Sequence, residues 1–330
     1  MAEKLLLITS GCSYRNVFKF IIDRKETLKL LVDHFGKDIV HTDVGEHGRP
    51  NKWISNSVIH ALEKYKHYDS KLVLVNWTGI ERKHIYIDKK HSNFHKEKIN
   101  FYEYTNPEYF SGGQSYRTYK WYDDVYAGRN YIHSDDKESG LLSITNIHAD
   151  ESSPHVIEKI VGIDQNYMYT MVERFEETLI SILMLQHYCK LNNIPCFNST
   201  WQDIWHEPPS FTFPFSLFGQ HYEKDDITNN RICNYNDMPL RIDRYPQFRY
   251  LYNQINFSNW YFSKVNNTET GGIADWCINK SISEGKDYFE KIHPTAEGYK
   301  HFIDIEFMPW LMEKLRRGGR VVDCGGLENR

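Results

Sequence analysis

Two short segments at opposite ends of the chain carry residues able to make and break acyl bonds. Near the N-terminus an apolar run, Leu5-Leu6-Leu7-Ile8-Thr9, enters the small-residue turn Ser10-Gly11-Cys12-Ser13-Tyr14. Near the other end stands Glu290-Lys291-Ile292-His293-Pro294-Thr295-Ala296-Glu297-Gly298-Tyr299. A serine hydroxyl is a weak nucleophile until a base takes its proton, and histidine is the usual base. The histidine needs an acceptor on its other ring nitrogen, which fixes tautomer and orientation. Ser13 is the candidate nucleophile and His293 the candidate base. Glu290, three residues upstream, is the local acceptor, with Asp287 as an alternative. Taken singly, a Gly-x-Ser turn is common after strands, and His-Pro is an ordinary helix boundary. Their joint occurrence, in this order and at opposite ends, is what points to catalysis.

Only a fold can bring the two together, so the elements between them matter. Residues 4–9 are a continuous apolar run, as expected of a strand buried on both faces. Residues 25–34 have helical spacing, with Leu28, Leu31 and Val32 on one side and Gly36 as the stop. Residues 38–42 read as a short second strand. Residues 51–64 read as a helix with Ile54, Val58, Ile59 and Leu62 on its apolar face, and 71–77 are the clearest strand in the chain. Strand–helix–strand–helix–strand is the pattern of a parallel sheet built from crossover units. Further on, 166–191 predict a long helix with Met171, Phe175, Leu179, Ile182, Leu183 and Leu185 inward, and 194–199 predict a fourth strand. Residues 296–315 predict a closing amphipathic helix with Tyr299, Phe302, Ile303, Phe307 and Leu311 on its stripe.

Two stretches break this order. Residues from about 84 to 163 and from about 201 to 267 are polar and aromatic without a sustained period. Structureless loops of such length are uncommon inside a compact domain. Both stretches are read as insertions in a single domain spanning 1–330, the first with some structure of its own, and 316–330 as a frayed tail.

Composition narrows the class. The chain has 330 residues, 40% hydrophobic and 25% charged, enough to bury a large core. A formal net charge of -4 argues against a general nucleic-acid binder. No apolar run approaches the roughly 20 residues that span a bilayer, and residues 5–8 are too short for a signal-peptide core. Six cysteines are scattered without a Cys-x-x-Cys pair, as expected of free thiols in a reducing, cytoplasmic setting. The sequon at Asn198-Ser199-Thr200 then carries no weight.

In a parallel α/β sheet, ligands sit at the carboxyl ends of the strands. The segments falling there resemble the blocks of the SGNH/GDSL hydrolases, a family of serine esterases and acyl-group hydrolases. Gly11-Cys12-Ser13-Tyr14 stands where that family has a Gly-Asp-Ser-like turn, with Cys12 in place of the aspartate. Gly48-Arg49-Pro50-Asn51-Lys52-Trp53-Ile54 stands where its second block supplies a glycine backbone N–H. Glu290-Lys291-Ile292-His293-Pro294 stands where Asp-x-x-His-Pro precedes the final helix, with Glu290 in place of the aspartate. The third block departs. Val73-Leu74-Val75-Asn76-Trp77-Thr78-Gly79-Ile80-Glu81-Arg82 lacks the Gly-x-Asn-Asp asparagine, and Ile80 falls about where it would stand. The resemblance covers the sheet and helices and leaves out the two insertions.

The resemblance implies a three-layer α/β/α sandwich with a parallel sheet in the flavodoxin-like order 2-1-3-4-5, the fifth strand being poorly marked. It implies Ser13 as nucleophile, His293 as base and Glu290 as its orienting acid. The oxyanion would be held by the backbone N–H groups of Ser13 and Gly48 with the Asn51 side-chain amide. Asn51 or Thr78 would stand in for the missing asparagine, and Arg82 could bind an anionic substrate group. No metal and no organic cofactor is required.

Other roles stay open for several of these residues. Asn51 also suits a helix N-cap, and Arg82 a structural ion pair. His91 and His95 have the i, i+4 spacing of a metal pair but no third ligand nearby, which favours a solvated helix face. Tyr102, Tyr104, Tyr109, Phe110, Tyr116, Tyr119, Trp121 and Tyr122 crowd the first insertion. Tyr222, Tyr235, Tyr245, Phe248, Tyr250, Tyr252, Trp260 and Tyr261 crowd the second. Such rings form either sugar-stacking walls or small insertion cores. The expected function is hydrolysis of a small-molecule or glycan ester, a small acyl group on a carbohydrate or similar polar substrate, with neither nucleic acid nor membrane as partner. Two other classes stay open: acyl transfer to a sugar hydroxyl, and a non-catalytic glycan-binding or assembly protein, which the altered third block favours.

Overall fold

The computed structural model describes residues 4–11, 16–45, 50–80, 83–88, 119–122, 139–144, 171–206, 240–265, 268–290 and 293–318. The apolar runs become strands as expected: β1 (Lys4–Gly11), β2 (Asp38–Asp43) and β3 (Ser70–Trp77). Between them lie α1 (Asn16–Asp23), α2 (Lys25–Phe35) and α3 (Asn51–Lys64). Helix α2 stops at Gly36, whose φ of 62° is the left-handed conformation that glycine adopts without steric cost; its N–H donates to Val32 at 2.8 Å. The first long irregular stretch contains β4 (Lys83–Asp88), β5 (Tyr119–Tyr122) and β6 (Ser139–Ile144), an antiparallel sheet in the order β4-β6-β5. Helix α4 (Met171–Leu191) then leads into β7 (Cys196–Thr200).

Strands β2, β1, β3 and β7 form one all-parallel sheet in that order, with Leu7 opposite His41 on one side and Leu72 on the other. Alternation sends the β1 side chains to two clusters. Leu6 and Ile8 pack with Ile54 and Val58 of α3 and Leu179 and Ile182 of α4. Leu5 and Leu7 pack with Val17, Phe18 and Ile21 of α1 and Leu31 of α2. Both faces are covered, which is why this strand reads as continuously apolar rather than alternating. Each fully buried leucine or isoleucine here contributes roughly 1.5–3 kcal/mol of transfer free energy. Helices on both faces of a four-stranded parallel sheet make an α/β fold compatible with an α/β/α sandwich.

Beyond β7 no fifth strand stands among the described residues. Trp260 instead makes a single parallel bridge to Asn198, and the Tyr261 N–H donates to the Asn198 carbonyl at 2.8 Å. The segment leading there holds two single-turn helices, α5 (Arg241–Arg244) and α6 (Arg249–Tyr252), and after it come β8 (Ser263–Val265) and β9 (Thr268–Gly271). The described rings of the second aromatic stretch therefore join the main clusters instead of forming a core of their own. Trp260 is 3% exposed and lies between Trp77 and Phe262, with ring centroids at 6.5 and 5.7 Å. Phe248 and Trp260 are buried in the α3/α4 cluster, against which Tyr245 and Tyr252 pack, while Tyr261 is buried in the other. Tyr222 and Tyr235 lie outside the described residues, as do Tyr102, Tyr104, Tyr109, Phe110, Tyr116, His91 and His95.

The chain closes with α7 (Ile273–Glu284), the two-residue strands β10 (Phe289–Glu290) and β11 (His293–Pro294), then α8 (Ala296–Phe302) and α9 (Met308–Gly318). The expected closing helix is present, with a π turn at Ile303–Phe307 joining its halves. Residues 316–318 continue α9 instead of fraying, because Leu311 and Leu315 anchor that helix in the core. Cys189, Cys196 and Cys277 are free and buried. No helix among the described residues is long and apolar enough to cross a membrane.

Candidate active site

The spacing Glu-x-x-His becomes a hairpin. Strands β10 and β11 pair antiparallel, with Glu290 opposite His293 and Phe289 opposite Pro294. The residues after the histidine dock this hairpin on α8. Thr295 is the N-cap of α8, and its hydroxyl accepts the Gly298 N–H at 3.1 Å. The same hydroxyl donates to the Asp287 carbonyl at 2.9 Å, and the Thr295 N–H donates to the Tyr288 carbonyl at 3.0 Å. Asp287, the alternative orienting acid, is exposed and enters this arrangement through its backbone. Gly298 approaches so closely that a Cβ there would lie 2.0 Å from the Tyr288 carbonyl oxygen. His293 itself is half-buried.

That approach yields a test. Neither the helix nor the hairpin backbone can yield to a methyl group at 2.0 Å without moving. Gly298→Ala is expected to lower stability by about 1–3 kcal/mol or more. It should also displace the hairpin, so that any activity depending on His293 falls with it. Thermal unfolding and ester turnover on the one variant check both; wild-type values for both would mean the hairpin is not held by this contact.

The frame of the candidate nucleophile comes from the other end of the chain. Ser13, Gly48 and Arg82 lie outside the described residues. What is described is that β1 ends at Gly11, flanked by β2 and β3 inside the sheet, and that α1 begins at Asn16. Phe20 of α1 stacks on Tyr299 of α8, with centroids 5.4 Å apart and planes at 23°. The segments carrying Ser13 and His293 thus each run directly into one of two helices that touch.

Asn51 has a different occupation from either expected role. Pro50 is the N-cap of α3, Asn51 is the first helical residue, and no side chain caps this helix. The Asn51 Oδ1 accepts the Thr78 N–H at 2.9 Å. Its Nδ2 donates to the Thr78 carbonyl at 3.0 Å and to Thr178 Oγ1 at 3.1 Å. Both amide hydrogens are engaged in the interior, so the side chain is bound away from the oxyanion donation expected of it. It clamps the segment after β3 to α3 and α4. Ile80, at the position of the missing third-block asparagine, is part of the same apolar core. Thr78 is fully buried, and its Oγ1 has no hydrogen-bond partner among the described residues; the same holds for Ser10 Oγ and Thr200 Oγ1. At or just past the carboxyl ends of β1, β3 and β7 there is thus a hydroxyl with no hydrogen-bond partner among the described residues.

A second acid–histidine pair, not singled out from the sequence, follows β7. Asp203 accepts the N–H groups of Trp205 at 2.8 Å and His206 at 3.1 Å through Oδ1, and its Oδ2 lies 2.8 Å from His206 Nδ1. The Thr270 hydroxyl donates to the same Oδ2. One signal was visible in advance: Asp203-Ile204-Trp205-His206 has the spacing of Glu290 to His293 and directly follows the fourth strand. It stood at the start of a stretch with no periodicity.

Beneath this pair, Asp275 at the start of α7 accepts the Asp203 N–H at 2.8 Å and the Gly272 N–H at 2.7 Å. Burial raises its carboxyl from about 3.8 to about 7, and the nearby Asp203 carboxylate adds to this, while the two N–H bonds pull the other way. The folded state thus holds this proton more tightly than the unfolded chain. The contribution is complete below the unfolded value near 4 and is lost as pH rises through about 7. Asp275→Asn keeps an oxygen for both N–H groups and removes the titration. Relative to this variant, the wild type is expected to lose stability between about pH 4 and pH 7, by up to roughly 4 kcal/mol. Urea unfolding midpoints of the two proteins at several pH values measure this; a difference independent of pH would contradict it.

No family model matches this chain, and neither a curated protein nor a solved structure matches it.

Proposed function

We propose that the chain is a serine hydrolase of the SGNH/GDSL type, cleaving a small acyl ester on a carbohydrate or similar polar substrate. Ser13 Oγ attacks the acyl carbonyl. His293 takes the serine proton and hands it to the departing alcohol, and Glu290 orients His293. The backbone N–H groups of Ser13 and Gly48 hold the oxyanion. Asn51 serves by holding the Thr78 segment in place. Thr78 and Arg82 contribute to substrate binding. The fold in this reading is a flavodoxin-like three-layer sandwich, of which the observed order β2-β1-β3-β7 matches the first four strands.

The observation that carries the reading is the docked hairpin. Glu290 and His293 are register partners, Thr295 and Gly298 lock them to α8, and α8 meets the helix that follows Ser13 through the Phe20–Tyr299 stack. The test is incubation with a short-chain aryl ester and a fluorophosphonate probe. Ester turnover with a single label on Ser13 is expected, and neither turnover nor label would overturn the reading. One observation favours the non-catalytic alternative: Ile80 stands in the core at the position of the family's asparagine, and both amide hydrogens of Asn51 are engaged elsewhere. Saccharide binding without ester turnover would support that alternative. Adding a sugar acceptor and looking for acylated product separates transfer from hydrolysis.

A further inference from the structure

A groove of about 610 Å³ lies between α7, β8 and the π turn that joins α8 to α9. Sites for small molecules span roughly 300–1,000 Å³. Tyr261 and Trp276 are buried beneath the groove, and Phe262 and Trp310 line it half-buried. The π turn decides what else stands there. Tyr299, Phe302 and Ile303 are the buried stripe of α8. Continued at α-helical spacing, that stripe would take in Glu306 and Trp310. Instead the Met308 N–H reaches back to the Ile303 carbonyl, one residue is added to the turn, and the stripe passes to Phe307 and Leu311. Glu306 and Trp310, one turn apart, are thereby kept out of the core and placed on the groove. Such single π turns are frequent at functional sites.

The polar groups of the groove are of both kinds. The Tyr261 hydroxyl donates to Glu306 Oε2 at 3.4 Å, which leaves Oε1 as an acceptor without a partner among the described residues. Burial and the Glu306 carboxylate raise the Tyr261 hydroxyl well above its ordinary value, so it stays a donor. The Asn279 side chain lines the groove and makes no hydrogen bond among the described residues. Lys280 is answered by Glu284 at 3.3 Å, and Lys264 and Glu306 are of opposite sign, so the groove carries no net charge. Aromatic faces beside an amide and a carboxylate suit a pyranose ring, which has an apolar C–H face and hydroxyls that both donate and accept. A purely apolar partner would cover Asn279 and Glu306 without pairing them, at a cost in desolvation. We infer that this groove binds a neutral saccharide, whose ring packs on Trp310 and Phe262 and whose hydroxyls bond to Asn279 and Glu306. The site goes beyond the proposed ester cleavage and uses none of its residues, so it holds for an esterase and for a non-catalytic protein alike.

The test is an array of neutral gluco-, galacto-, manno- and xylo-oligosaccharides probed with the full chain, followed by calorimetric titration with a bound member. Binding by the wild type is expected. Asn279→Ala removes the amide at a half-buried helix position where alanine favours the helix. Glu306→Gln keeps an acceptor for the Tyr261 hydroxyl and removes the charge. Thermal unfolding checks that both variants are folded. Each is expected to weaken binding by about 5- to 100-fold. An array without binding overturns the inference, and so does wild-type affinity in either folded variant. A wild-type dimer that these variants dissociate, with no saccharide bound, would make the groove a contact between copies instead. Ester turnover enters none of these readouts, so failure here and failure of the Ser13 reading are told apart.

Discussion

Replacing Ser13 by alanine is expected to lower ester turnover by about 10⁶-fold, the loss typical when the nucleophile of a serine–histidine pair is removed. The fold should be unaffected. Leu5–Ile8 are the residues of β1 that pack into the two clusters, and the strand's parallel partners are in register over its length. A hydroxyl on the turn beyond Gly11 adds little to that. A fluorophosphonate probe should label the wild type and leave the variant untouched. His293→Gln should lose turnover to a similar degree, since a nucleophile and its base act as a unit and their losses do not add. Equal labelling of wild type and Ser13→Ala would remove Ser13 from the chemistry. Undiminished turnover in a folded His293→Gln would remove the hairpin histidine from the chemistry.

Asn51→Ala is expected to act mainly on stability. Three buried hydrogen bonds disappear, and the Thr78 N–H, the Thr78 carbonyl and the Thr178 hydroxyl lose a partner. At about 1–3 kcal/mol for each buried group left unsatisfied, a loss of roughly 3–9 kcal/mol is expected. In a chain of this size that lowers the melting temperature by about 5–15 °C. Turnover per folded molecule should fall by less than about tenfold. An oxyanion donor would behave in the opposite way: turnover down about 100- to 1000-fold, with stability nearly unchanged. A helix cap would cost about 1 kcal/mol. Thermal unfolding and steady-state kinetics on this one variant separate the three. A wild-type melting temperature with turnover down 100-fold would return Asn51 to the oxyanion site.

What the amino-acid order determined by itself was local and periodic. The apolar run of β1, the helical stripe of α3 and the Gly36 stop of α2 follow from burial period and backbone freedom, which act over a few residues. That the first strands run parallel follows as well, because strand–helix–strand units close by crossover connections. The Thr295 cap and the close approach of Gly298 lay within a single short motif, and so did the pairing of Glu290 with His293, since three residues of spacing suffice for a tight hairpin.

Tertiary structure decided the rest. Helix α1 is short and its apolar residues run nearly together, so its face emerged only when Val17, Phe18 and Ile21 met the sheet. Helix α7 carries its buried residues, Ile273, Ala274, Trp276 and Cys277, at one end, and so shows no amphipathic period. The expected fifth strand became a single bridge at Trp260, because the aromatic segment there is held by rings above and below rather than by a ladder of backbone bonds. Asn51 had two expected roles in sequence, oxyanion donor and helix cap, and the positions of Thr78 and Thr178, distant along the chain, gave it a third. The Asp203–His206 pair had its spacing on view from the start. The burial of its acid did not show there, since Asp275 and Thr270 reach Asp203 only once the chain has folded back through β9, and contacts that distant along the chain leave no local pattern.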